Sequence, residues 1–498
     1  MSSVKVSSNL LGSREPMAQL WSWKVCVFIV GVAVTLDVLL VRSPLVGFGV
    51  VAGMLAVWGL FWSRSKSLAV VIFACGLLNY SPVETGAFSR LYPGDIAIGV
   101  FLVTWLMREM PLSLRRLFQP DLINGPLVGM AVVTPLSMVW SRLFPDPSVA
   151  YSFPHSDVSW ATTQISQLAL LAVTICMPFA VAATIKNWKN VEGVVITMGI
   201  VVTLGTLLTT AALFFGFGGS FTILGATRAY WEQPWDSSME PLSALLLPFL
   251  YSGVLFGRRS LSAYRVICVL FIVCLLGVVI TFSRECWFLA FLELVLVSAL
   301  WLRGRIAARI AAVLAFVMIG FLLSALLVPG AIGLVTRFYN PEEVYGLDRI
   351  YFYVTGLQLF MTHPFLGVGA GNYQFFDRIY AEVSAGGIAH NQFITVAAET
   401  GMPGLIALLW LLVAVLKIPR KFNLWEGRQG DPHYWVKAAG SVFVLALIAE
   451  CLFREAFVVS AAAGGGTKAI TSGIFAWILL GILFSVCNLS QTAAGTKT

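Results

Sequence analysis

Charged residues are scarce in this chain of 498 residues, and their scarcity excludes most classes of soluble protein. Asp, Glu, Lys and Arg together make up 11% of the sequence, whereas hydrophobic residues make up 58%. A soluble domain could not bury that much apolar surface. The composition therefore predicts a protein that crosses a lipid bilayer several times.

Metal-ligand patterns and paired cysteines are also missing from the sequence. The eight cysteines are scattered, almost all within apolar runs, and the chain has only four histidines. This distribution predicts neither a disulfide framework nor a zinc site, so the cysteines are expected to be small residues of the core. The sequence also lacks an internal repeat, a low-complexity tract and an independent soluble domain.

Long apolar runs occur along nearly the whole chain. A run that crosses about 30 Å of hydrocarbon must be helical, because lipid offers no hydrogen-bond partners to the backbone. The fold class predicted is an all-α polytopic membrane protein with about 12–14 transmembrane helices. The first span is expected to be retained, because no cleavage site follows it. The predicted spans lie at 25–41, 44–62, 67–81, 93–110, 122–144, 161–185, 191–217, 239–257, 264–282, 285–302, 306–329, 402–418, 436–453 and 470–488.

The spans divide the chain into three parts. Residues 1–329 are predicted to form a bundle of about eleven spans, and residues 402–498 about three more. Residues 330–401 between them form one large loop, and a long ordered loop is usually functional. Within this loop the pattern predicts a helix from Arg349 to about Met361, the turn "GVGAGN", and a second helix near 373–383. The glycines of that turn do not have dinucleotide-binding spacing, so tight-turn roles are expected for them.

The basic residues predict the orientation of the spans. If the N-terminus is cytoplasmic, the inside connections hold 22 of the 32 Lys and Arg residues, as the positive-inside rule expects. The net charge of +8 then needs no nucleic acid to explain it. The outside connections hold the remaining ten cations, which are Arg42, Arg90, Arg142, Arg228, Arg284, Arg337, Arg349, Arg378, Arg454 and Lys468.

Arginine supplies nine of these ten outside cations, while the inside set mixes lysine with arginine. The planar guanidinium group binds phosphate oxygens bidentately, whereas lysine acts as a point charge. The bias favours an outward-facing phosphate ligand. The alternative is that these arginines make ordinary loop ion pairs near apolar surface.

His390 stands in the segment "AHNQFITVAAETGMPGLIALL", at the mouth of a helix that continues into a span. Because histidine exchanges a proton near neutral pH, His390 is a candidate base on the outer side of the membrane. The alternative is a hydrogen-bonded structural histidine. Asn391 is expected to cap the helix.

Three segments of the chain carry a family resemblance: "TFSRECWFLAF" at 281–291, "DRIYFYVTGLQLFMTHPFLGVGAGNYQFF" at 348–376, and "AHNQFITVAAETGMPGL" at 389–405. In this order and spacing they resemble the signature blocks of the O-antigen ligase and polymerase superfamily. The resemblance implies a many-helix, GT-C-like membrane protein with one large periplasmic loop late in the chain.

The resemblance also implies an activity and a set of residues. The activity is metal-independent glycosyl transfer at the periplasmic face from a polyprenyl diphosphate-linked sugar chain, with no cofactor. The catalytic residues implied are Arg284, Arg349 and His390. Glu285 stands where the family often has glycine, and its charge would weaken the positive field of Arg284.

Four further residues are predicted to bind substrate: Arg228, Asn391, Arg337 and Glu399. Arg228 is followed by aromatic residues that could stack on sugar rings or form an interfacial belt. Glu399 lies about 13 Å along the helix from His390, too far to orient it directly. Glu293 falls within a span, where an ionisable side chain is a functional candidate by default.

Three functions are consistent with this pattern. The first is a polymerase that transfers a growing chain to the next lipid-linked repeat unit in the bacterial inner membrane, with a flippase and a chain-length regulator as possible partners. The second is an O-antigen ligase that uses lipid A-core as acceptor. The third is a transporter or flippase, although the inverted repeats typical of transporters are absent from the sequence. The length of the chain and its extra spans favour the polymerase.

Overall fold

The computed structural model describes fourteen stretches of the chain. They are residues 64–77, 93–109, 121–147, 149, 160–215, 219–223, 226–230, 239–257, 261–280, 283–301, 344–380, 389–424, 431–457 and 468–495. All of them belong to one compact unit, Leu55–Thr498.

Helices dominate the described residues, and their bounds follow the apolar runs. The helices are α1 Arg64–Leu77, α2 Pro93–Glu109, α3 Asn124–Leu143, α4 Trp160–Thr184, α5 Trp188–Phe215, α6 Met239–Phe256, α7 Leu261–Ile280, α8 Arg284–Trp301, α9 Val344–Thr362, α10 Tyr373–Tyr380, α11 Gln392–Lys421, α12 Tyr434–Glu450 and α13 Lys468–Gly495. A 3₁₀ turn, Asp121–Ile123, precedes α3. The helices α9 and α10 lie within residues 330–401, and the division of the chain into three parts stays a prediction.

Within the described ranges, six helices are long and apolar enough to cross a membrane. This confirms the prediction of an all-α polytopic membrane protein. Predicted spans 25–41, 44–62 and 306–329 lie outside the described residues. The six helices are Asn124–Leu143, Thr163–Thr184, Trp188–Ala211, Ala263–Ile280, Gln392–Lys421 and Gly473–Gln491, and shorter apolar helices lie at Lys66–Leu77, Gly94–Met107 and Leu242–Phe256.

Helix ends meet at two separate ends of the bundle. At one end the N-terminus of α11 contacts the C-terminus of α12 through the hydrogen bond from Gln392 N to Cys451 O. We call this end the His390 face. At the other end of α12, which we call the His433 face, the Tyr434 ring packs edge-on against Phe256 at the end of α6. These contacts show that α12 runs antiparallel to both α11 and α6.

A cluster of aromatic and charged side chains lies at the His433 face. The imidazole of His433 stacks on the Trp188 indole, with ring centroids 4.3 Å apart and an interplanar angle of 4°. Lys437 forms an ion pair with Asp431 at 2.8 Å, and its ammonium lies 5.8 Å from the same indole. Burial lowers the pKa of His433, and Lys437 acts in the same direction, against the opposing charges of Asp431 and Glu192. This group joins the start of α5 to the connection between α11 and α12.

The helix α11 is broken at Gly401, where φ is 67° and ψ is −162°. A Cβ atom at this position would lie 2.6 Å from the carbonyl carbon of Phe365, so the backbone of the large loop passes directly against the break. The amide of Met402 donates to the Pro364 carbonyl instead of continuing the helical pattern. The twenty residues from 402 to 421 rise about 30 Å, which matches the hydrocarbon thickness.

The "GVGAGN" turn supplies hydrogen-bond donors to the carbonyl groups that have no helical partner at the break. The amides of Val368 and Gly369 donate to the carbonyls of Ala398 and Glu399, each at 2.9 Å. The turn can approach this closely because three of its residues adopt positive φ, namely Gly367, Gly369 and Gly371. Its glycines therefore have the tight-turn role that the sequence predicts. Non-helical backbone inside the bundle is satisfied here by protein, as a membrane protein requires.

A β-hairpin between α5 and α6 is absent from the sequence-based expectations. Strand β1 (Gly219–Ile223) pairs antiparallel with β2 (Ala226–Tyr230), and Phe221 faces Arg228 across the pair. The segment contains β-branched and aromatic residues, which favour strands, but it is too short to show a clear alternation. The hairpin adds a local β element to an otherwise helical fold and packs beside α5 through β2.

Candidate active site

His390 lies directly before α11, on the rim of a buried cluster. Its backbone is left-handed, with φ of 48°, a conformation uncommon for a residue with a side chain. The side chain is half-buried, and its ring faces the Phe352 ring of α9 edge-on, with centroids 6.3 Å apart. Ala389, the preceding residue, is fully buried. Buried neighbours therefore fix the backbone at His390 while its imidazole keeps access to solvent.

Asn391 is the N-cap of α11. Its Oδ1 accepts hydrogen bonds from the amides of Phe393 and Ile394, at 3.0 and 3.2 Å, and its Nδ2 donates to the Leu452 carbonyl at 3.1 Å. The side chain thus satisfies amides that a helix start leaves without intrahelical partners. This geometry gives Asn391 the capping role expected from the sequence, and its assignment to substrate binding stays a prediction.

The residues after α12 hold the first turn of α11 in place. We call residues 451–457 the clamp segment. The Gln392 side chain is fully buried, and its Oε1 accepts from the amide of Phe457 at 3.0 Å. The Thr395 hydroxyl donates to a carboxylate oxygen of Glu455 at 2.6 Å, and both side chains are buried. These bonds fix the orientation of the helix that follows His390.

One ion pair joins the clamp segment to the end of α12. Arg454 forms an ion pair with Glu450, which is buried and lies four residues earlier at the end of α12. A carboxylate without a cation would be costly to bury there, so Arg454 compensates a local charge. The Glu450–Arg454 spacing of four residues is the sequence signal for this pair, but the charge pattern alone predicts Arg454 only as an outside cation.

The two arginines predicted to be catalytic lie on elements that meet at the His390 face. Arg284 is the first residue of α8, and the Phe288 ring one turn later packs against Phe453 of the clamp segment, with centroids 5.4 Å apart. Arg349 lies in α9 three residues before Phe352, whose ring faces His390. The folded chain thus brings the starts of α8 and α11 and the first half of α9 to one face.

Residues 268–409 match the family model described as O-antigen ligase. The match agrees with the resemblance to the O-antigen ligase and polymerase superfamily that the three sequence blocks carry. It includes Arg284, Arg349 and His390 and excludes the clamp segment. No curated protein is significantly similar to the chain.

Glu399 lies within the matched region but is buried. Its Oε1 accepts a hydrogen bond from the Tyr373 amide at 3.3 Å, at the N-terminus of α10. A carboxylate in that position is stabilised by the partial positive charge of the helix start. This geometry favours a role for Glu399 in holding the large loop against α11, and its assignment to substrate binding stays a prediction.

Two of the predicted substrate-binding residues remain, and the structure describes the backbone of one of them. Arg228 lies in β2 of the hairpin, and Arg337 lies outside the described residues. Both assignments stay predictions. In α8, Glu293 is 1% exposed, and neither carboxylate oxygen has a hydrogen-bond partner among the described residues. Among the residues that the structure describes, no group of three His, Cys, Asp or Glu side chains could hold a metal ion.

Proposed function

We propose that this protein is a membrane glycosyltransferase that extends a polysaccharide by using a polyprenyl diphosphate-linked chain as donor. The O-antigen ligase match over residues 268–409 indicates ligase- or polymerase-type activity. The observation that carries the proposal is the half-buried imidazole of His390, held by Phe352 on one side and by the capped, clamped start of α11 on the other. We assign this face to the periplasm.

In the proposed reaction, a sugar hydroxyl of the acceptor attacks the anomeric carbon of the donor saccharide. A new glycosidic C–O bond forms, the bond from that carbon to the diphosphate breaks, and the lipid diphosphate leaves. His390 accepts the proton from the attacking hydroxyl, a role typically contributing about two to four powers of ten in rate. Charge grows on the diphosphate as its bond breaks, so the cations of Arg284 and Arg349 stabilise the transition state more than the ground state.

The saccharide released from the donor diphosphate can be transferred to two kinds of acceptor. We favour transfer to a second lipid-linked repeat unit, which makes the protein a polymerase, because the chain is long and has spans beyond the matched region. Transfer to lipid A-core would make it a ligase. Purified protein offered each acceptor in turn distinguishes the two, because a polymerase lengthens the lipid-linked chain and a ligase does not.

The test of the catalytic assignment is His390→Ala in a strain that depends on this protein. We expect loss of long polysaccharide at an unchanged protein level, because the attacking hydroxyl loses its base. His433→Phe is the matched control, since it removes a histidine from the opposite end of the bundle, and we expect it to keep normal polymer. Normal polymer in the His390→Ala strain would eliminate the proposed base.

The proposed reaction needs no metal. Chelation of the purified protein is therefore expected to leave the transfer rate unchanged, because the arginines neutralise the leaving diphosphate. Activity that is abolished by a chelator and restored by a divalent cation would refute this part of the proposal.

A further inference from the structure

Arg142 is an exposed cation at the C-terminal end of α3. Its guanidinium carbon lies 3.9 Å from the centroid of the Trp160 ring, and its Nε donates to Oε1 of Gln164 at 2.7 Å. The predicted outside connections contain ten cations, and the structure describes the side chains of two of them, Arg142 and Arg454. They differ in one respect: Arg454 is paired with a buried carboxylate, and Arg142 has no carboxylate partner among the described residues.

The orientation of Arg142 leaves its phosphate-binding edge open. Stacking on Trp160 uses one face of the guanidinium group, and Gln164 uses Nε. The described residues accept no hydrogen bond from the two terminal amino groups. These two groups form one of the edges with which arginine holds phosphate oxygens bidentately.

Buried hydrogen bonds hold the partners of Arg142 in position. Nε2 of Gln164 donates to the Ser141 hydroxyl at 3.3 Å, and Nδ2 of Asn372 donates to the same oxygen at 3.3 Å. The three residues are at most 8% exposed. Because these bonds fix which end of the Gln164 amide faces Arg142, the guanidinium group is ordered before any ligand arrives, which lowers the entropic cost of binding.

This arrangement belongs to the His390 face. Trp160 packs against a buried cluster that includes Ala389 and Tyr373. The Tyr373 hydroxyl donates to the carbonyl of Phe352, and the Phe352 ring faces His390. Arg142 therefore stands on the rim of the same cluster that supports the proposed base, but on a different helix from Arg284 and Arg349.

We propose that Arg142 binds a phosphate group of the lipid-linked acceptor, as a second diphosphate site beside the donor site. This inference rests on the proposed polymerase function. A polymerase must hold two lipid diphosphates at once, and the leaving diphosphate is assigned to Arg284 and Arg349. Arg142 presents a preoriented fork that has no carboxylate partner in the part of the chain that the structure describes, which is the chemistry that the second diphosphate requires.

The test compares two acceptors that carry the same saccharide, one on a polyprenyl diphosphate and one on a simple alkyl chain. The donor has its own acceptor hydroxyl blocked, and the assay runs in detergent without phospholipid. For Arg142→Gln we expect KM for the diphosphate acceptor to rise about tenfold, because one charge-assisted contact is lost. We expect kcat, KM for the donor and KM for the alkyl acceptor to stay unchanged.

Two further variants sharpen the result. Arg142→Lys keeps the charge but loses the fork, so its KM for the diphosphate acceptor should lie between those of wild type and Arg142→Gln. Arg265→Gln is the matched control, because it removes an exposed arginine near the start of α7, toward the His433 face, and should change neither acceptor. Thermal unfolding of each variant establishes that it is folded.

Three results would overturn the inference. An unchanged KM for the diphosphate acceptor in folded Arg142→Gln protein would show that Arg142 does not bind it. A raised KM for the donor would assign the residue to the leaving diphosphate. An effect that occurs only in bilayers with anionic phospholipid would identify a headgroup as the ligand. Absence of any transfer by the wild-type protein would instead refute the proposed function, and the acceptor site with it.

Discussion

Replacement of Gly401 by alanine tests whether the break in α11 positions His390. The backbone at Gly401 has φ of 67° and ψ of −162°, a region that residues with a Cβ atom rarely adopt. The added Cβ would lie 2.6 Å from both the carbonyl carbon and the carbonyl oxygen of Phe365. Because both are backbone atoms of the large loop, no side-chain rotation can relieve the overlap.

The size of the effect follows from these contacts. The backbone conformation alone costs about 1–3 kcal/mol for a residue other than glycine. Straightening the helix would avoid that strain, but it would break three backbone hydrogen bonds between the large loop and the break: two donated by Val368 and Gly369, and one donated by Met402 to Pro364. Each such bond contributes about 1 kcal/mol. We therefore expect Gly401→Ala to lower the free energy of unfolding by about 1–3 kcal/mol, whichever way the chain responds.

The assay is unfolding in mixed micelles, followed together with glycosyl transfer by the same preparation. We expect transfer to fall as well, because the large loop that contacts the break also contains Arg349 and His390. Gly99→Ala is the matched control: this glycine lies in α2 with no atom within 4 Å of the added Cβ, and alanine favours helix. If Gly401→Ala were as stable and as active as Gly99→Ala, the reasoning from the break would be wrong.

Three other predictions concern the ends of α12. Thr395→Val leaves the buried Glu455 carboxylate without its hydroxyl donor, so stability should fall by about 1–3 kcal/mol in a denaturant titration, and Glu455→Gln should cost less. Arg454→Ala leaves the buried charge of Glu450 without its cation and should lower the melting temperature. The double variant Arg454→Ala with Glu450→Gln should recover most of that loss. If it recovered none, the ion pair would not be the cause. Burial lowers the pKa of His433 below its ordinary 6.5, so as the pH drops the unfolded state binds a proton at this histidine before the folded state does. The thermal stability of the wild-type protein should therefore fall as the pH drops through about 6.5. The fall should be smaller in His433→Phe, which has no imidazole at this position.

The hydrophobic runs predicted most of the described helices closely. The run at 161–185 corresponds to Trp160–Thr184, and the run at 239–257 corresponds to Met239–Phe256. The agreement has a simple cause, because a helix in lipid must be apolar over the whole hydrocarbon thickness and polar where it leaves. The ends of the membrane helices in this protein can therefore be predicted from the change between apolar and polar residues, which is a stronger signal than local helix propensity.

The contacts around His390 could not be predicted in the same way. Gln392 and Phe457 are 65 residues apart, and neither residue type reveals that an amide side chain will accept from a distant backbone amide. The break at Gly401 was equally hidden, because a glycine before a span is also common at an ordinary helix start. What fixed these contacts was tertiary packing between α11, the clamp segment and the turn at 367–372.

Because α11 is divided at Gly401, the position of His390 relative to the rest of the protein does not depend on the thickness of the bilayer. Only the part after Gly401 has the length of a membrane span, so a thinner or thicker bilayer would be accommodated by tilting of that part. The part before Gly401 is attached to the clamp segment and to the turn of the large loop by hydrogen bonds within the protein. The proposed reaction should therefore tolerate lipids of different acyl length.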